Sequence, residues 1–355
     1  MSQEIRVAFA GVGNCTSSLI QGLTYYRDLE DTEFVPGLMH PVLGNYRIRD
    51  IVPVAAFDID ARKVGQELAE AIFAPPNNTY KISDVAPLGV EVMMGPVMDG
   101  HPAHLQPFVQ LADREPVDVG QVLKETGADV LVNFIPTGSA QAARYYADQA
   151  IKVAGIGFVN CIPELIASSP EYDQLARDKG AAIIGDDVKS QVGATILHRS
   201  LAKLFMDRGL KLTTSYQLNY AGNTDFVNLA KRGESKSMTK EAAVESLIPY
   251  KFPMSSGFSF LHTQEDTKTA IIWLEGEKFG GAPIRLFAKL DVEDSPNSAG
   301  VIIDAIRCCK IARDRGVGGT LESGSAYLMK HPPKQFPDEQ ARQMLEEFIA
   351  GERER

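Results

Sequence analysis

The chain has 355 residues, of which 44% are hydrophobic and 23% charged, and it carries a formal net charge of −10. This is an ordinary globular composition with length for two packed units, which excludes a largely disordered chain. With no basic tract and no run of about eighteen apolar residues, it argues against nucleic acid, an anionic membrane surface and a membrane span.

The N-terminus moves directly into IRVAFA without a charged region, apolar core and cleavage site, so a cytoplasmic location is expected. Residues 5–10 read as a strand, and GVGNCT follows at 11–16, ahead of the helix-like SSLIQGL. Strand, glycine turn and helix together form the context of a dinucleotide-phosphate cradle. Gly11 permits the tight turn, Gly13 lets the backbone approach a pyrophosphate, and the helix N-terminus supplies amide donors. Thr16 replaces the third glycine of GxGxxG, a position that governs helix packing rather than phosphate contact. Residues 25–50 form a long excursion before a second strand at 51–57, which ends at Asp58. Asp58 is the expected acceptor for ribose hydroxyls, and the excursion explains why it lies 45 positions after Gly13 instead of about twenty. A carboxylate there disfavours the extra phosphate of NADP; Arg62 and Lys63 lie close by, with Lys63 read as a surface residue.

Short apolar segments at 129–134, 156–159 and 181–185, separated by helical stretches, imply a parallel sheet of βαβ units. His101 and His104 of GHPAH lie between prolines and read as a loop rather than metal ligands. The four cysteines, Cys15, Cys161, Cys308 and Cys309, make no CxxC pair and lack zinc-finger spacing, so they are read as reduced.

After the fifth strand comes GDDVKSQVGAT at 185–195. Val192, Ile196, Leu197, Leu201, Leu204 and Phe205 recur at three- and four-residue steps, predicting a helix over 190–208 with Ser190 as its cap and Gly209 as its end. Asp187 and Ser190 thus fall at a strand's carboxyl end, where open α/β sheets bind ligands. Adjacent carboxylates serve equally well as plain capping residues, so both readings stand.

Residues 212–220, 269–275 and 284–292 look like strands of a second, mostly antiparallel unit, with the helical MTKEAAVESL between the first two. Lys236 and Lys240, four apart, share a helical face; Lys268 and Lys330 are individually uninformative. After DSPNSAG a helix runs over 301–316 until GVGG breaks it, and 337–350 forms a terminal amphipathic helix.

The ordered set GVGNCTSS, FVPGLMH, FDID, GDDVKSQVGATILHR, QLNYAGNTDF, SKSMTKEAAV, LEGEKFGGAP, DSPNSAGVIIDAIRCCKIARDRG and SAYLMK resembles the prokaryotic myo-inositol-1-phosphate synthases over nearly the whole chain. The resemblance implies an α/β fold: a Rossmann-type NAD-binding domain with a mostly parallel sheet (1–198 and 295–355) and a second α+β catalytic and oligomerisation domain (199–294). It implies a homotetramer serving inositol and phospholipid biosynthesis. The family's reaction converts glucose 6-phosphate to inositol 1-phosphate without net redox change: NAD oxidises carbon 5, carbon 6 is deprotonated and joined to carbon 1, and the hydride returns. By the same resemblance Lys236, Lys240, Lys268 and Lys330, with Asp187, Ser190 and Asp225, are catalytic. Lys240 and Lys268 are assigned to phosphate or oxyanion, Lys236 and Lys330 to proton handling and the carbonyl oxygen. Gly11, Gly13, Asn14, Cys15, Asp58, Thr137, Asp187, Asp294 and Ser295 are implied to hold NAD; a divalent or monovalent cation is compatible with the family, with no ligands assigned. One segment departs: where relatives read like PSDHVGWL, this chain has MSSGFSFL at 254–261, which leaves open a dehydrogenase or epimerase of a related sugar phosphate. A catalytically idle NAD-binding relative is the third reading.

Overall fold

In the computed structural model, residues 4–29, 34–232 and 234–355 are described, and of the side chains at 232–236 nothing is said. A first sheet is built from β1 (Ile5–Ala10), β4 (Ile51–Asp58), β5 (Val92–Met94), β6 (Val130–Asn133), β7 (Gly157–Asn160), β8 (Ala182–Ile184) and β13 (Gly319–Thr320). Its order is β13-β8-β7-β6-β1-β4-β5, with every pairing parallel. Strand order reverses direction at the β1/β6 gap, the topological switch point at which such sheets open a crevice. The middle strands are buried throughout, as parallel strands covered on both faces must be. The short edge strands β5 and β13 escaped sequence reading, since two or three residues carry no periodicity.

One face is covered by α1 (Asn14–Tyr25) and α9 (Asp294–Asp314), the other by α3 (Val119–Glu125), α4 (Ala140–Asp148) and α5 (Pro170–Lys179). The excursion before β4 includes a small hairpin, β2 (Val42–Leu43) with β3 (Tyr46–Arg47), and a short helix α2 (Leu68–Ala71) follows β4. Near the C-terminus, α10 (Glu322–Leu328) and α11 (Asp338–Ala350) pack together; α11 buries Ala341, Met344, Leu345 and Phe348 and ends at Gly351 with φ +85°.

A second sheet has the order β10-β9-β11-β12, from β9 (Lys211–Ala221), β10 (Met254–Phe260), β11 (Thr267–Glu277) and β12 (Pro283–Glu293). Two of its three pairings are antiparallel, and β10 lies parallel to β9 as an edge strand. The helices α6 (Ala194–Asp207) and α8 (Glu234–Glu245) cover its inner face through Phe205, Val244, Ile272 and Leu274. Its outer face aligns Tyr216, Trp273 and Phe287 across three strands, all at least 37% exposed. Helix α7 (Thr224–Arg232) follows β9 and packs on the 103–105 turn of the first sheet's side. No helix among the described residues is long and apolar enough to cross a membrane.

Two boundaries differ from expectation. Helix α6 starts at Ala194 with Gly193 as its N-cap, so Ser190 is not the cap and lies in the preceding loop, where Val192 is 58% exposed. Asn297 staples that loop: its amide donates to Val192 O (2.8 Å), while its Oδ1 accepts from the Val192 amide (3.0 Å). DSPNSAG, read as a break, forms the first two turns of α9, a place where Pro296 is tolerated because first-turn amides have no helical partner.

Candidate active site

A cavity of about 230 Å³ opens at the switch point, between the carboxyl ends of the first sheet and the start of the second. Gly11, at φ +90°, leaves β1 so close to β6 that a Cβ would stand 2.9 Å from Phe134 O. A Cβ on Gly13 would meet nothing within 4 Å among the described residues, so the turn presents open backbone to the cavity, as a pyrophosphate requires. In place of the third glycine, the Thr16 hydroxyl donates back to Gly11 O (2.6 Å) and closes the turn. Asp58 ends β4 and accepts the Val12 amide (2.7 Å) on one oxygen and the Ile59 and Asp60 amides on the other, which fixes the carboxylate beside the turn.

Lys63 is not a surface residue. It is 3% exposed, and its ammonium donates to Val12 O (2.7 Å) and Asn77 Oδ1 (2.8 Å), holding the turn from behind, with burial pushing its pKa down. Arg62 is occupied by Asp60 through two bonds, Nε to Oδ1 (2.9 Å) and Nη2 to Oδ2 (2.5 Å).

Buried polar groups form a chain under the cavity at three neighbouring strand ends. Asn133 donates to Asn160, and Asn160 to Asp186. Asp186 also takes the amides of Ile166, Ala167 and Ser168; burial pushes its carboxyl up to about 6. The first carboxylate of GDD is therefore an internal brace. The second, Asp187, faces the cavity at φ +61°, where one oxygen accepts Lys330 Nζ (2.7 Å) and the other Thr239 Oγ1 (2.7 Å). Lys268 Nζ contacts Asp294 at the mouth of α9. The ammonium of Lys240 lies 4.5 Å from the centre of the Phe258 ring, a cation–π contact, and its charge helps hold His198, already lowered by burial, at about 4. Asp225 accepts from Thr137 Oγ1 (3.2 Å).

Gly11, Gly13, Asn14, Cys15, Asp58, Thr137, Asp187, Ser190, Asp225, Lys240, Lys268, Asp294, Ser295 and Lys330 all line this one cavity. The side chain of Lys236 lies outside the described residues. Burial and the nearby carboxylates push the Cys15 thiol up to about 12, which keeps it protonated. His101 bonds Val109 O and His104 bonds Asn228, so the HxxH pair tethers a loop. Among the described residues no cluster of three or more His, Cys, Asp or Glu could hold a metal ion.

Sequence reading missed two residues here. Thr195, second in α6, lines the cavity with its Oγ1 buried and lacking a hydrogen-bond partner among the described residues. Asp266 sits just before β11 and gathers donors from several segments. Their only sequence signal is nearness to Ser190 and Lys268. The divergent 254–261 segment forms edge strand β10: Phe258 faces Lys240 and Phe226, Phe260 packs on Phe108, and Ser256 donates to Glu241 Oε1 (3.0 Å).

The model of the family described as myo-inositol-1-phosphate synthase matches residues 193–295. An inositol-3-phosphate synthase of Mycobacterium tuberculosis is 52% identical, covering 99% of this chain and 97% of that protein. One from Corynebacterium glutamicum is 50% identical, covering 98% and 99%. Among solved structures, Ari2 superposes with a TM-score of 0.80 at 34% identity, covering 98% of this chain and 99% of that one.

Proposed function

The chain belongs to the myo-inositol-1-phosphate synthase family, and from that premise we propose that it converts D-glucose 6-phosphate to 1L-myo-inositol 1-phosphate with NAD as a recycled cofactor. The observation that carries this reading is the convergence of Lys240, Lys268 and Lys330 on the cavity that the glycine turn opens. The open face of Gly13, the fixed carboxylate of Asp58 and the brace of Lys63 fit a dinucleotide without a 2′-phosphate. When bound, NAD supplies hydride acceptance and return. Thr137, Asp294 and Ser295 line the same cavity, where they would flank the nicotinamide.

The chain's own residues divide the remaining work. The N-terminus of α6 offers amides and the Thr195 hydroxyl, which has no partner among the described residues, to an anion, with Ser190 beside it and Lys240 across the cavity, a set suited to a phosphate dianion. Lys268 suits the oxyanion of an enolate formed next to a ketone, since fixed charge in a low-dielectric site stabilises developing charge most. Lys330 holds or moves a proton at its Nζ, with Asp187 and Thr239 fixing the direction of that atom. Lys236 is assigned to the same proton traffic and Asp225 to orienting Thr137. A second reading, a dehydrogenase or epimerase of a related sugar phosphate, is favoured only by the aromatic wall of β10.

The exposed Tyr216–Trp273–Phe287 row supports a homo-oligomer formed through the outer face of the second sheet, a homotetramer by family expectation, and a cytoplasmic setting is part of the same reading. We assign the cofactor to 1–198 with 295–355 and the lysine chemistry to 199–294. The test is to incubate the purified protein with glucose 6-phosphate and catalytic NAD and identify the product by NMR. Inositol phosphate that retains a deuterium label from carbon 5 is expected. Steady NADH accumulation, or loss of that label to solvent, would overturn the cyclase in favour of the dehydrogenase.

A further inference from the structure

The carboxylate of Asp266 is 1% exposed and joins four separate segments of chain. Its Oδ1 accepts from Asn14 Nδ2 (3.0 Å), Asn223 Nδ2 (2.9 Å) and Ser295 Oγ (3.0 Å). Its Oδ2 accepts from Thr79 Oγ1 (2.8 Å) and from the Ser295 amide (3.2 Å). Asn14 opens α1 directly after the glycine turn, Ser295 lies in the first turn of α9, and both line the cavity. The main-chain oxygen of Asp266 takes the Asp294 amide (3.1 Å), and two residues further on Lys268 meets the Asp294 carboxylate. The turn that would cradle a dinucleotide and the strand that carries Lys268 are therefore tied to one buried carboxylate.

We propose that Asp266 is a positioning residue that sets the glycine turn at a fixed distance from the Lys268 strand, acting on the cofactor through Asn14 and Ser295. The inference rests on the reading of the cleft as a dinucleotide site. A carboxylate is needed because five donors converge on it and it has no donor of its own. An Asn amide would turn an NH2 toward at least two of those donors, leaving buried polar groups unpaired. The strand does not slide in response, because β11 is fixed by β9 and β12 on either side. The turn and the start of α9 move instead.

The test uses the full chain with NAD affinity read by calorimetry in Asp266→Asn, Asn14→Ala and the double variant. Asp266→Asn is expected to weaken NAD binding about tenfold, the size of one lost hydrogen bond to a charged group. The double variant is expected to bind within about twofold of the weaker single, because both changes break one connection. In turnover, kcat of Asp266→Asn falls while KM for the sugar phosphate changes little. Wild-type NAD affinity in Asp266→Asn, or losses that add in the double variant, overturns the proposal. If Asp266→Asn fails to fold, Thr79→Val deletes one of the five bonds at a residue outside the cavity wall; weakened NAD binding supports the proposal and unchanged binding overturns it. Hydrogen exchange on the ligand-free protein is expected to quicken at residues 11–20 in Asp266→Asn and to stay unchanged at 338–350. Unchanged exchange at the turn defeats this inference, whereas a wild type that binds no NAD defeats the cofactor reading of the cleft.

Discussion

Two sets of buried cations flank the loop at residues 188–193. On the cavity side stand Lys330, paired with Asp187, and Lys268, in contact with Asp294. On the far side, Lys189 and Arg199 converge on Asp338 at the start of α11. Burial pushes Lys189 down to about 8, and the guanidinium of Arg199 is spread over Asp338, Ser246 and the carbonyls of Ala243 and Phe336. Both sets are cations taken out of water and given carboxylates, so burial and pairing do not distinguish them. Access does: the first set faces a cavity, and the second is enclosed by protein oxygens. A buried, paired lysine is therefore evidence of a functional site only where something other than protein can reach it.

The comparison breaks most sharply at the cavity lysines. Lys330→Ala and Lys268→Ala are each expected to lower turnover about a thousandfold, roughly 4 kcal/mol of transition-state stabilisation, with the fold retained. Steady-state kinetics beside circular dichroism reads both, and normal turnover in either variant removes that lysine from the chemistry. Asp338→Ala is expected to do the opposite. It leaves Lys189 and Arg199 buried without their carboxylate, costing about 3 kcal/mol in urea unfolding, while turnover per folded molecule stays close to wild type. A stable but inactive Asp338→Ala protein would erase the distinction drawn above.

His198 is next to Arg199 along α6, bonded to Gln217 and Ser215 and within the field of Lys240. Its pKa falls from 6.5 to about 4, so the imidazole is neutral in the fold. The stability this protects is full above pH 6.5 and is lost as pH falls from 6.5 toward 4, by an amount on the order of 3 kcal/mol. His198→Gln is expected to flatten that part of the stability profile; an unchanged slope would place the acid sensitivity elsewhere. The smallest effect is expected outside both sets. Asp58→Ala should weaken NAD binding by about 1 to 1.5 kcal/mol, the worth of ribose hydrogen bonds at a strand end. Equal affinities of the wild type for NAD and NADP would contradict the role given to Asp58.

What could be read from sequence follows the range of the signals. The turn GVGNCT and the strands around it were legible because strand, turn and helix are contiguous, and so was the apolar spacing of α6 beyond Ile196. Its start was not: Ser190 has the chemistry of a cap, but Asn297, about a hundred residues away, already holds the loop. DSPNSAG looks like a break because prolines and small polar residues signal turns, and nothing local tells that a helix tolerates them in its first turn. Lys63 and Arg62 are indistinguishable by neighbourhood, yet one is buried behind the glycine turn and the other paired with Asp60. Lys240, Lys268 and Lys330 were brought together by resemblance, not by spacing. The geometry adds what resemblance lacked: Asp186 as a brace, the open hydroxyl of Thr195 and the junction at Asp266.

The return of the chain to the first sheet has a consequence for how the molecule is made. Strand β13 and the covering helix α9 come from residues after the whole of the second sheet, and α9 packs on α1, β7 and β8. During synthesis the first six parallel strands emerge with one face covered by α1 alone, and they stay so until residue 314 has left the ribosome. The second sheet, whose three pairings all lie within residues 211–293, closes on itself before that moment. The cavity, which needs Asp294 and Lys330, is therefore completed only after the whole of the second sheet has been made.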